Sequence, residues 1–278
     1  MLGADDAWPL WADEPAVTFE DPSVAAEFAV VTAVDQPVLL GFRAAKPNGR
    51  AMLVLGGGGY TALMAGREGV QVAAWLTALG YHAFVLIHRF PNATNGIAAP
   101  LDDAREAMRL IRASGLAPAG LGVVGLSSGG HLAACLAAAY PDAWTPSASR
   151  QPDQSTRPDV LVIGYAPIST NAAGRTIVAD KPPLPPVEKQ AMYDQLQPDV
   201  QVLRPPPPAF LVYAGNDPVV PVENARRLHG AWQAVGGMAE LHVFADAAHG
   251  FALDTKGLPV SLWPMLCEAW LRQVGFLD

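Results

Sequence analysis

Residues Gly122-Val123-Val124-Gly125-Leu126-Ser127-Ser128-Gly129-Gly130-His131 decide the fold of this chain. An apolar run, Leu121 to Leu126, predicts a buried strand, and an Ala-rich run, His131 to Tyr140, predicts a helix. Only a few residues join the two, so the chain must turn sharply at Ser127. The glycines two positions before and two positions after this serine allow the strand and the helix nearly to touch.

Ser127 therefore lies in a Gly-x-Ser-x-Gly pattern between a strand and a helix, which is the pattern of a nucleophile elbow. The strained turn pushes the serine hydroxyl above the sheet, and the N-terminus of the following helix favours negative charge that develops there. The alternative interpretation is a Gly/Ser loop with a capping serine. The strand before and the helix after the serine favour the elbow.

Length and composition restrict the class of protein. The chain has 278 residues, of which 51% are hydrophobic and 16% are charged, so it has ample material for a core. Its formal net charge of −8 argues against nucleic acid or an anionic membrane surface as a partner. No apolar stretch approaches the ~20 residues that a membrane span needs. Cys135 and Cys267 lie in apolar, helix-like stretches and are expected to be buried free thiols.

The acidic N-terminus, Met1 to Asp6, lacks a basic segment followed by an apolar one, so no signal peptide is predicted. The expected location is the cytoplasm, or the periplasm or the exterior for a chain whose signal has been removed. The oligomeric state is left open.

Strands and helices alternate along the chain, which predicts a mostly parallel sheet with helices on both faces. The sequence is interpreted as one α/β domain, residues 1–278, with an irregular N-terminal arm, 1–27, and an excursion, 168–204, that partly caps the site. The predicted strands besides the one before Ser127 are 28–33, 38–42, Ala51–Leu55, Tyr81–Ile87, Val160–Tyr165, Ala209–Ala214 and Glu240–Phe244. The further predicted helices are Glu68–Leu79, Leu101–Ala113, 187–197, 222–235 and 260–274.

A run of glycines, Gly56 to Gly59, follows the strand that ends at Leu55. A phosphate-binding loop is not supported, because no Lys-Ser or Lys-Thr follows at the required spacing and Ala62 stands where Gly-x-Gly-x-x-Gly needs its last glycine. The position suits an oxyanion loop, the place where lipases and esterases carry His-Gly-Gly-Gly. The backbone amides expected to bind the oxyanion are those of Gly57, Gly58 and Ser128.

A serine nucleophile needs a base and an acid, which follow it in the order acid, then histidine, in this kind of fold. Asp217 follows the strand that ends near Ala214, and His249 follows the last predicted strand. We assign Asp217 as the acid and His249 as the base. Asp217 as a simple turn residue before a proline, and His249 as an ordinary loop histidine, are the alternatives.

Several other polar residues have weaker cases. Asp246 and Asp254 are rival acids, but Asp246 is too close to His249 in one loop to approach the ring from behind. His131 is expected to help hold the turn, with a contact to ligand as the alternative. Arg89 is expected to form a structural ion pair with Asp102 or Asp103. No His-Glu-x-x-His or similar spacing is present, so a metal hydrolase is not predicted.

The chain resembles the α/β-hydrolase esterases, and within them the bacterial acetylxylan-esterase-like group. The resemblance covers residues 50–260. It depends on the stretches Gly57–Tyr60, Arg67–Gly69, Leu79–Leu86, Gly125–His131, Asp217–Pro221 and His249–Phe251. Two departures, Gly56 before the three glycines and His88-Arg89-Phe90 in place of a Tyr-Arg pair, affect the expected acyl and alcohol preference more than the chemistry.

The resemblance implies a serine carboxylesterase that works through an acyl-enzyme, without a cofactor, on acetylated sugars or xylan fragments. The alternatives among enzymes are a general short-chain carboxylesterase and a feruloyl esterase. The alternative from another class is a non-catalytic binding protein built on a hydrolase fold. That alternative predicts that a member of the Ser-Asp-His set is missing, whereas Ser127, Asp217 and His249 are all present.

Overall fold

The computed structural model describes residues 1–139, 156–175 and 182–277. Most of the loop predicted between Pro141 and Pro158, and part of the excursion, lie outside the described residues. Ten strands are described: β1 Asp6–Pro9, β2 Ala16–Phe19, β3 Val31–Gln36, β4 Val38–Phe42, β5 Ala51–Leu55, β6 His82–Ile87, β7 Leu121–Leu126, β8 Leu161–Gly164, β9 Ala209–Ala214 and β10 Ala239–Phe244.

Eight of these strands form one sheet in the order β1-β4-β6-β5-β7-β8-β9-β10, and β2 pairs with β3 in a small second sheet. β1 and β4 run antiparallel to their neighbours, whereas every pairing from β6 to β10 is parallel. The prediction of a mostly parallel sheet is confirmed. β5 and β7 are buried along their whole length, as expected for central strands covered on both faces.

Six α-helices are described: α1 Gln71–Ala78, α2 Ala99–Ala113, α3 Ser128–Cys135, α4 Val187–Gln195, α5 Glu223–Ala234 and α6 Trp263–Gln273. A π-helix, Ala65–Val70, leads into α1, and 3₁₀ turns lie at Ala26–Phe28 and Pro259–Leu262.

Helices cover both faces of the sheet. Successive positions of a strand point to opposite faces of the sheet, and Gly122 and Gly125 of β7, three positions apart, therefore face opposite sides. A Cβ atom on Gly122 would lie 3.1 Å from the ring of Phe276, just after α6, whereas one on Gly125 would lie 2.7 Å from Cβ of Ala133 in α3. On the α6 side, the rings of Trp75 and Trp263 pack edge to face at 5.4 Å and join α1 to α6.

Two sequence-based expectations differ from the structure. The arm 1–27 is not wholly irregular, because β1 extends the main sheet beside β4 and β2 pairs with β3. The helix after the elbow begins at Ser128 instead of His131 and ends at Cys135. The first turn of the helix packs so closely against the neighbouring strands that its two glycines have no room for a side chain. A Cβ atom on Gly129 would lie 2.0 Å from the carbonyl oxygen of Leu55.

The parallel strands end at one edge of the sheet, and the loops after them meet there. The glycine run follows β5, Ser127 follows β7, Asp217 lies in the loop after β9 and His249 in the loop after β10. The fold therefore places all six candidate site residues at this edge.

Candidate active site

The backbone at Ser127 is strained. Its φ of 52° and ψ of −126° lie in a region that residues with a side chain rarely adopt. The Ser127 amide donates to the carbonyl oxygen of Gly164 at 2.9 Å, and the Gly130 amide donates to the carbonyl oxygen of Ser127, also at 2.9 Å. These bonds fix the turn between β7 and α3, and the hydroxyl projects from it into a cleft.

The structure brings Ser127, His249 and Asp217 into one chain of hydrogen bonds. Oγ of Ser127 lies 3.0 Å from Nε2 of His249, and Nδ1 of His249 lies 2.7 Å from Oδ2 of Asp217. With an ionised Asp217, Nδ1–H donates to the carboxylate and Nε2 is left to accept the serine proton. The arrangement is therefore suited to general-base activation of Ser127.

Asp217 both stabilises its own turn and contacts His249, the two roles that the sequence analysis considered for it. Its Oδ1 accepts the amides of Val219 at 2.8 Å and Val220 at 2.9 Å, which is the turn role, while Oδ2 accepts from His249. Although burial acts to raise the pKa of Asp217, the bonds from His249, Val220 and Val219 hold that pKa below its usual value. The carboxylate stays ionised where the imidazole needs it.

The rival acids are placed elsewhere. Oδ1 of Asp246 accepts the side-chain amide of Asn216 at 2.5 Å, and Oδ1 of Asn216 accepts the amide of Ala247 at 3.1 Å. Asp246 therefore ties the loop after β10 to the loop after β9. In the described part of the chain, no hydrogen bond joins Asp246 or Asp254 to His249.

The glycine run lies beside Ser127, but its amides differ in their partners. The Gly57 amide donates to Oε2 of Glu68 at 2.6 Å, and the Gly59 amide donates to Oγ of Ser128 at 2.9 Å. The amides of Gly58 and Ser128 have no acceptor among the described residues. Of the three amides expected to bind the oxyanion, that of Gly57 is therefore occupied by its hydrogen bond to Glu68. The amides of Gly58 and Ser128 are free to bind an oxyanion.

A cleft of about 180 Å³ opens over Ser127 and His249. One wall consists of Val219 and Val220, and the excursion contributes Leu184, Lys189 and Tyr193. The cleft is small and largely apolar near the nucleophile, which suits a small acyl group better than a long chain.

His131 is buried and does not line this cleft. Its Nδ1 accepts the hydroxyl of Tyr60 at 2.9 Å, and its Nε2 donates to the carbonyl oxygen of Leu196 at 2.9 Å. Burial lowers the pKa of His131 to about 4, so the imidazole is neutral. His131 joins the residue after the glycine run to the excursion, which is a structural role of the kind expected.

The structural ion pair near the site is formed with Asp103. Nη2 of Arg89 lies 2.6 Å from Oδ1 of Asp103, and the same carboxylate accepts the Arg89 amide at 2.9 Å. The indole of Trp11 also donates to Asp103, at 2.9 Å. This cluster anchors the N-terminal arm.

Glu68 is a residue near the site that the sequence reasoning missed. It is only 4% exposed and contacts the glycine run directly. The available signal was an acidic residue, within Arg67-Glu68-Gly69, in an otherwise apolar stretch shortly after the glycines.

Other kinds of site have no support in residues 1–139, 156–175 and 182–277. No group of three or more His, Cys, Asp or Glu side chains there is arranged to hold a metal ion. No helix in these ranges is long and apolar enough to cross a membrane. Both cysteines are free and buried, as expected.

Comparisons with known proteins identify the family and the fold. Residues 43–232, more than half of the chain, match the model of the BD-FAE family, and residues 194–278 match that of the dienelactone hydrolase family. An acetylxylan esterase of Xylanibacter ruminicola is 27% identical over 226 residues, which are 75% of this chain and 42% of that protein. An endo-1,4-beta-xylanase B of Butyrivibrio fibrisolvens is 30% identical over 214 residues, 73% of this chain and 32% of that protein. The chain thus spans less than half the length of these curated relatives.

Among solved structures, an acetyl ester-xyloside bifunctional hydrolase from Caldicellulosiruptor lactoaceticus superposes with a TM-score of 0.73 at 29% identity, covering 98% of this chain and 97% of that one. The carboxylesterase Cest-2923 from Lactobacillus plantarum superposes with a TM-score of 0.71 at 19% identity, covering 96% and 99%, a likeness in fold. The chain has the α/β-hydrolase fold and belongs to the BD-FAE family.

Proposed function

We propose that this chain is a serine carboxylesterase that removes acetyl groups from acetylated sugars of the xylan type through an acyl-enzyme. The observation that carries the proposal is the hydrogen-bonded chain Ser127–His249–Asp217 beside the two free amides of Gly58 and Ser128. Ester hydrolysis needs a nucleophile, a base, an orienting acid and oxyanion donors, and these residues supply each of them.

The reaction begins when Oγ of Ser127 attacks the ester carbonyl and its proton passes to Nε2 of His249. Asp217 stabilises the resulting imidazolium through Nδ1–H. The carbonyl oxygen becomes an anion, which the amides of Gly58 and Ser128 bind. The imidazolium then gives its proton to the leaving alcohol, and an acetyl group remains on Ser127. Water attacks this ester by the same route and releases acetate.

Two observations support the acetyl group as the acyl part. The cleft above the nucleophile measures about 180 Å³ and is lined by Val219, Val220 and part of the excursion. A pocket that accepts longer acyl chains gains ~0.8 kcal/mol for each methylene it buries, whereas a cleft of this size leaves the further methylenes of a long chain in water. The printed names of the matched relatives, acetylxylan esterase and acetyl ester-xyloside hydrolase, support the same acyl group and a xylose-based alcohol.

The test measures acetate released from acetylated xylo-oligosaccharides, and in parallel kcat/KM for nitrophenyl acetate, butyrate and octanoate. We expect acetate release, a fall in kcat/KM from acetate to octanoate, and neither with Ser127→Ala. A kcat/KM that climbs through octanoate would instead indicate a general carboxylesterase. Absence of turnover on every ester, with no labelling of Ser127 by a fluorophosphonate, would indicate a binding protein.

A further inference from the structure

Glu68 lies in the π-helix that precedes α1, a kind of helical irregularity that is frequent at functional sites. Both of its carboxylate oxygens are engaged. Oε2 accepts the Gly57 amide at 2.6 Å, and Oε1 accepts the hydroxyl of Tyr165 at 2.9 Å. The first contact fixes the glycine run, and the second reaches the residue just after β8.

The Tyr165 contact continues to the loop that carries His249. The hydroxyl of Tyr165 accepts the amide of Ala252 at 3.2 Å, and its ring packs edge to face against Phe251 at 4.4 Å. The same ring stands edge to face at 5.3 Å from the imidazole of His249. Tyr165 itself has a φ of 37°, a strained conformation that these contacts hold in place.

Glu68 also approaches the two reactive side chains. Gly57 fills the gap between Glu68 and Ser127: a Cβ atom on Gly57 would lie 2.6 Å from Oε2 of Glu68 and 2.5 Å from Cβ of Ser127. On the other side, a Cβ atom on Gly250, next to His249, would lie 3.7 Å from Oε1 of Glu68. One carboxylate therefore lies between the glycine run and the histidine loop.

We infer that Glu68 is a positioning residue for the ester hydrolysis proposed above, on which this inference rests. Through Gly57 it holds the glycine run so that the next amide, that of Gly58, points at the developing oxyanion. Through Tyr165 and Ala252 it holds the loop that presents His249 to Ser127. It contacts neither substrate nor the reacting atoms, and acts through these two loops.

A purely structural function explains the residue less well. A buried carboxyl group is costly, and well-packed apolar side chains often replace buried polar groups at no loss of stability. Burial raises the pKa of Glu68, and the Gly57 amide, the Tyr165 hydroxyl and the charges of His249 and Arg67 act against that rise. Gly57 belongs to the glycine run and the Tyr165 hydroxyl also binds the histidine loop, so the two hydrogen bonds join both loops of the site, whereas a packing role would need no acceptor for two separate donors.

The test uses the full chain and four variants: Glu68→Gln, Glu68→Leu, Tyr165→Phe and the control Glu106→Gln. Glu106 is on α2 and pairs with Arg109 at the surface, so its variant loses a carboxylate away from both loops. Gln has the shape of Glu: its oxygen can accept the Gly57 amide and its nitrogen can donate to the Tyr165 hydroxyl, so it keeps both contacts without the charge, whereas Leu loses both. The melting temperature and circular dichroism of each variant establish that it is folded.

We expect Glu68→Leu to lower kcat for nitrophenyl acetate by roughly 10- to 100-fold, the range that a small misplacement of catalytic groups produces. KM should change by less than about threefold, because the cleft walls are unaltered. Glu68→Gln, which keeps both contacts, and Tyr165→Phe, which loses one, should each lose less than Glu68→Leu, and Glu106→Gln should match the wild type. A folded Glu68→Leu variant with kcat within about twofold of the wild type would overturn the inference.

The rate of phosphonylation of Ser127 by a fluorophosphonate separates this inference from the proposed function. It reports the nucleophile, the base and the oxyanion amides without an acetyl substrate, and it should fall with kcat in the Glu68 variants. A wild type that is phosphonylated but releases no acetate contradicts the proposed function only. Equal phosphonylation rates in the wild type and both Glu68 variants contradict the role of Glu68. A wild type that neither reacts with the probe nor cleaves esters contradicts both.

Discussion

Nδ1 of His249 lies 2.7 Å from Oδ2 of Asp217, while the other oxygen of that carboxylate accepts two backbone amides of its own turn. The two bonds from backbone amides hold the carboxylate in place independently of its bond to the imidazole. The side chain of Asp217 is fully buried, whereas that of His249 is 20% exposed. His249, the proposed base, is therefore open to substrate and water while Asp217 is held in place.

The first prediction concerns the nucleophile. Ser127→Ala should abolish ester turnover, since loss of a member of a Ser-His-Asp triad costs about 10⁴- to 10⁶-fold in kcat. The backbone bonds of Ser127 to Gly164 and Gly130 do not involve the hydroxyl, so the fold should be unchanged. Steady-state kinetics with circular dichroism checks both points, and a folded variant with wild-type kcat would exclude Ser127 as the nucleophile.

The second prediction compares two acidic residues. Asp217→Asn should lower kcat by about 10⁴-fold, because an amide cannot hold the imidazole in the tautomer that accepts the serine proton. Asp246→Asn, which alters only the contact to Asn216, should keep kcat within a few-fold of the wild type. Kinetics of the two folded variants under one condition is the measurement. Equal losses, or a larger loss for Asp246→Asn, would show that the acid is assigned wrongly.

The third prediction concerns the glycine run. Oγ of Ser128 accepts the Gly59 amide at 2.9 Å and so holds the run against the first turn of α3. Ser128→Ala keeps the Ser128 backbone amide but removes this acceptor, so Gly58 loses a support. We expect kcat to fall by roughly tenfold with little change in KM, less than the 10²- to 10³-fold cost of deleting an oxyanion donor.

The variant Gly57→Ala serves as a severe comparison for the third prediction. Its methyl group would meet both Glu68 and Ser127, so it should lose more kcat than Ser128→Ala. A Ser128→Ala variant as active as the wild type would show that the glycine run needs no hydroxyl to stay in place.

Much of this architecture follows from the sequence. Four strands have the predicted bounds, Val38–Phe42, Ala51–Leu55, Leu121–Leu126 and Ala209–Ala214. The last three were predictable because a buried parallel strand is a continuous apolar run with polar or glycine ends. The expected positions of Ser127, Asp217 and His249 also follow, since motif order and strand ends determine which loops meet.

Local patterns could not predict the rest. Gly129 and Gly130 have low helix propensity, so a prediction from local sequence starts the helix after them. They nevertheless lie in α3, where the close packing against the sheet requires residues without a side chain at these two positions. The π-helix before α1 has no counterpart in a 3.6-residue periodicity. The contact of Glu68 with the Gly57 amide could not be predicted for a similar reason. The position of the Glu68 carboxylate depends on its hydrogen bond with Tyr165, which is 97 positions away in the chain.

The last prediction concerns stability and pH. Burial lowers the pKa of His131 from 6.5 to about 4 in the folded chain. Above pH 6.5 the imidazole is neutral in both states and contributes no pH dependence. Between pH 6.5 and 4 the unfolded chain takes up a proton that the folded chain refuses, so the free energy of unfolding falls as the pH falls. The total loss from this one group is about 3 kcal/mol.

Urea unfolding of the wild type and of His131→Gln between pH 7 and pH 4 measures this loss. Gln removes the titrating ring but retains a donor and an acceptor for Leu196 and Tyr60. Other groups titrate in both proteins, so the difference between the two curves isolates His131. We expect the wild type to lose about 3 kcal/mol relative to the variant across this window. Tyr60→Phe, which deletes the hydrogen bond but keeps the imidazole, should follow the slope of the wild type. Parallel curves for the wild type and His131→Gln would show that the buried imidazole is protonated in the folded chain as readily as in the unfolded one.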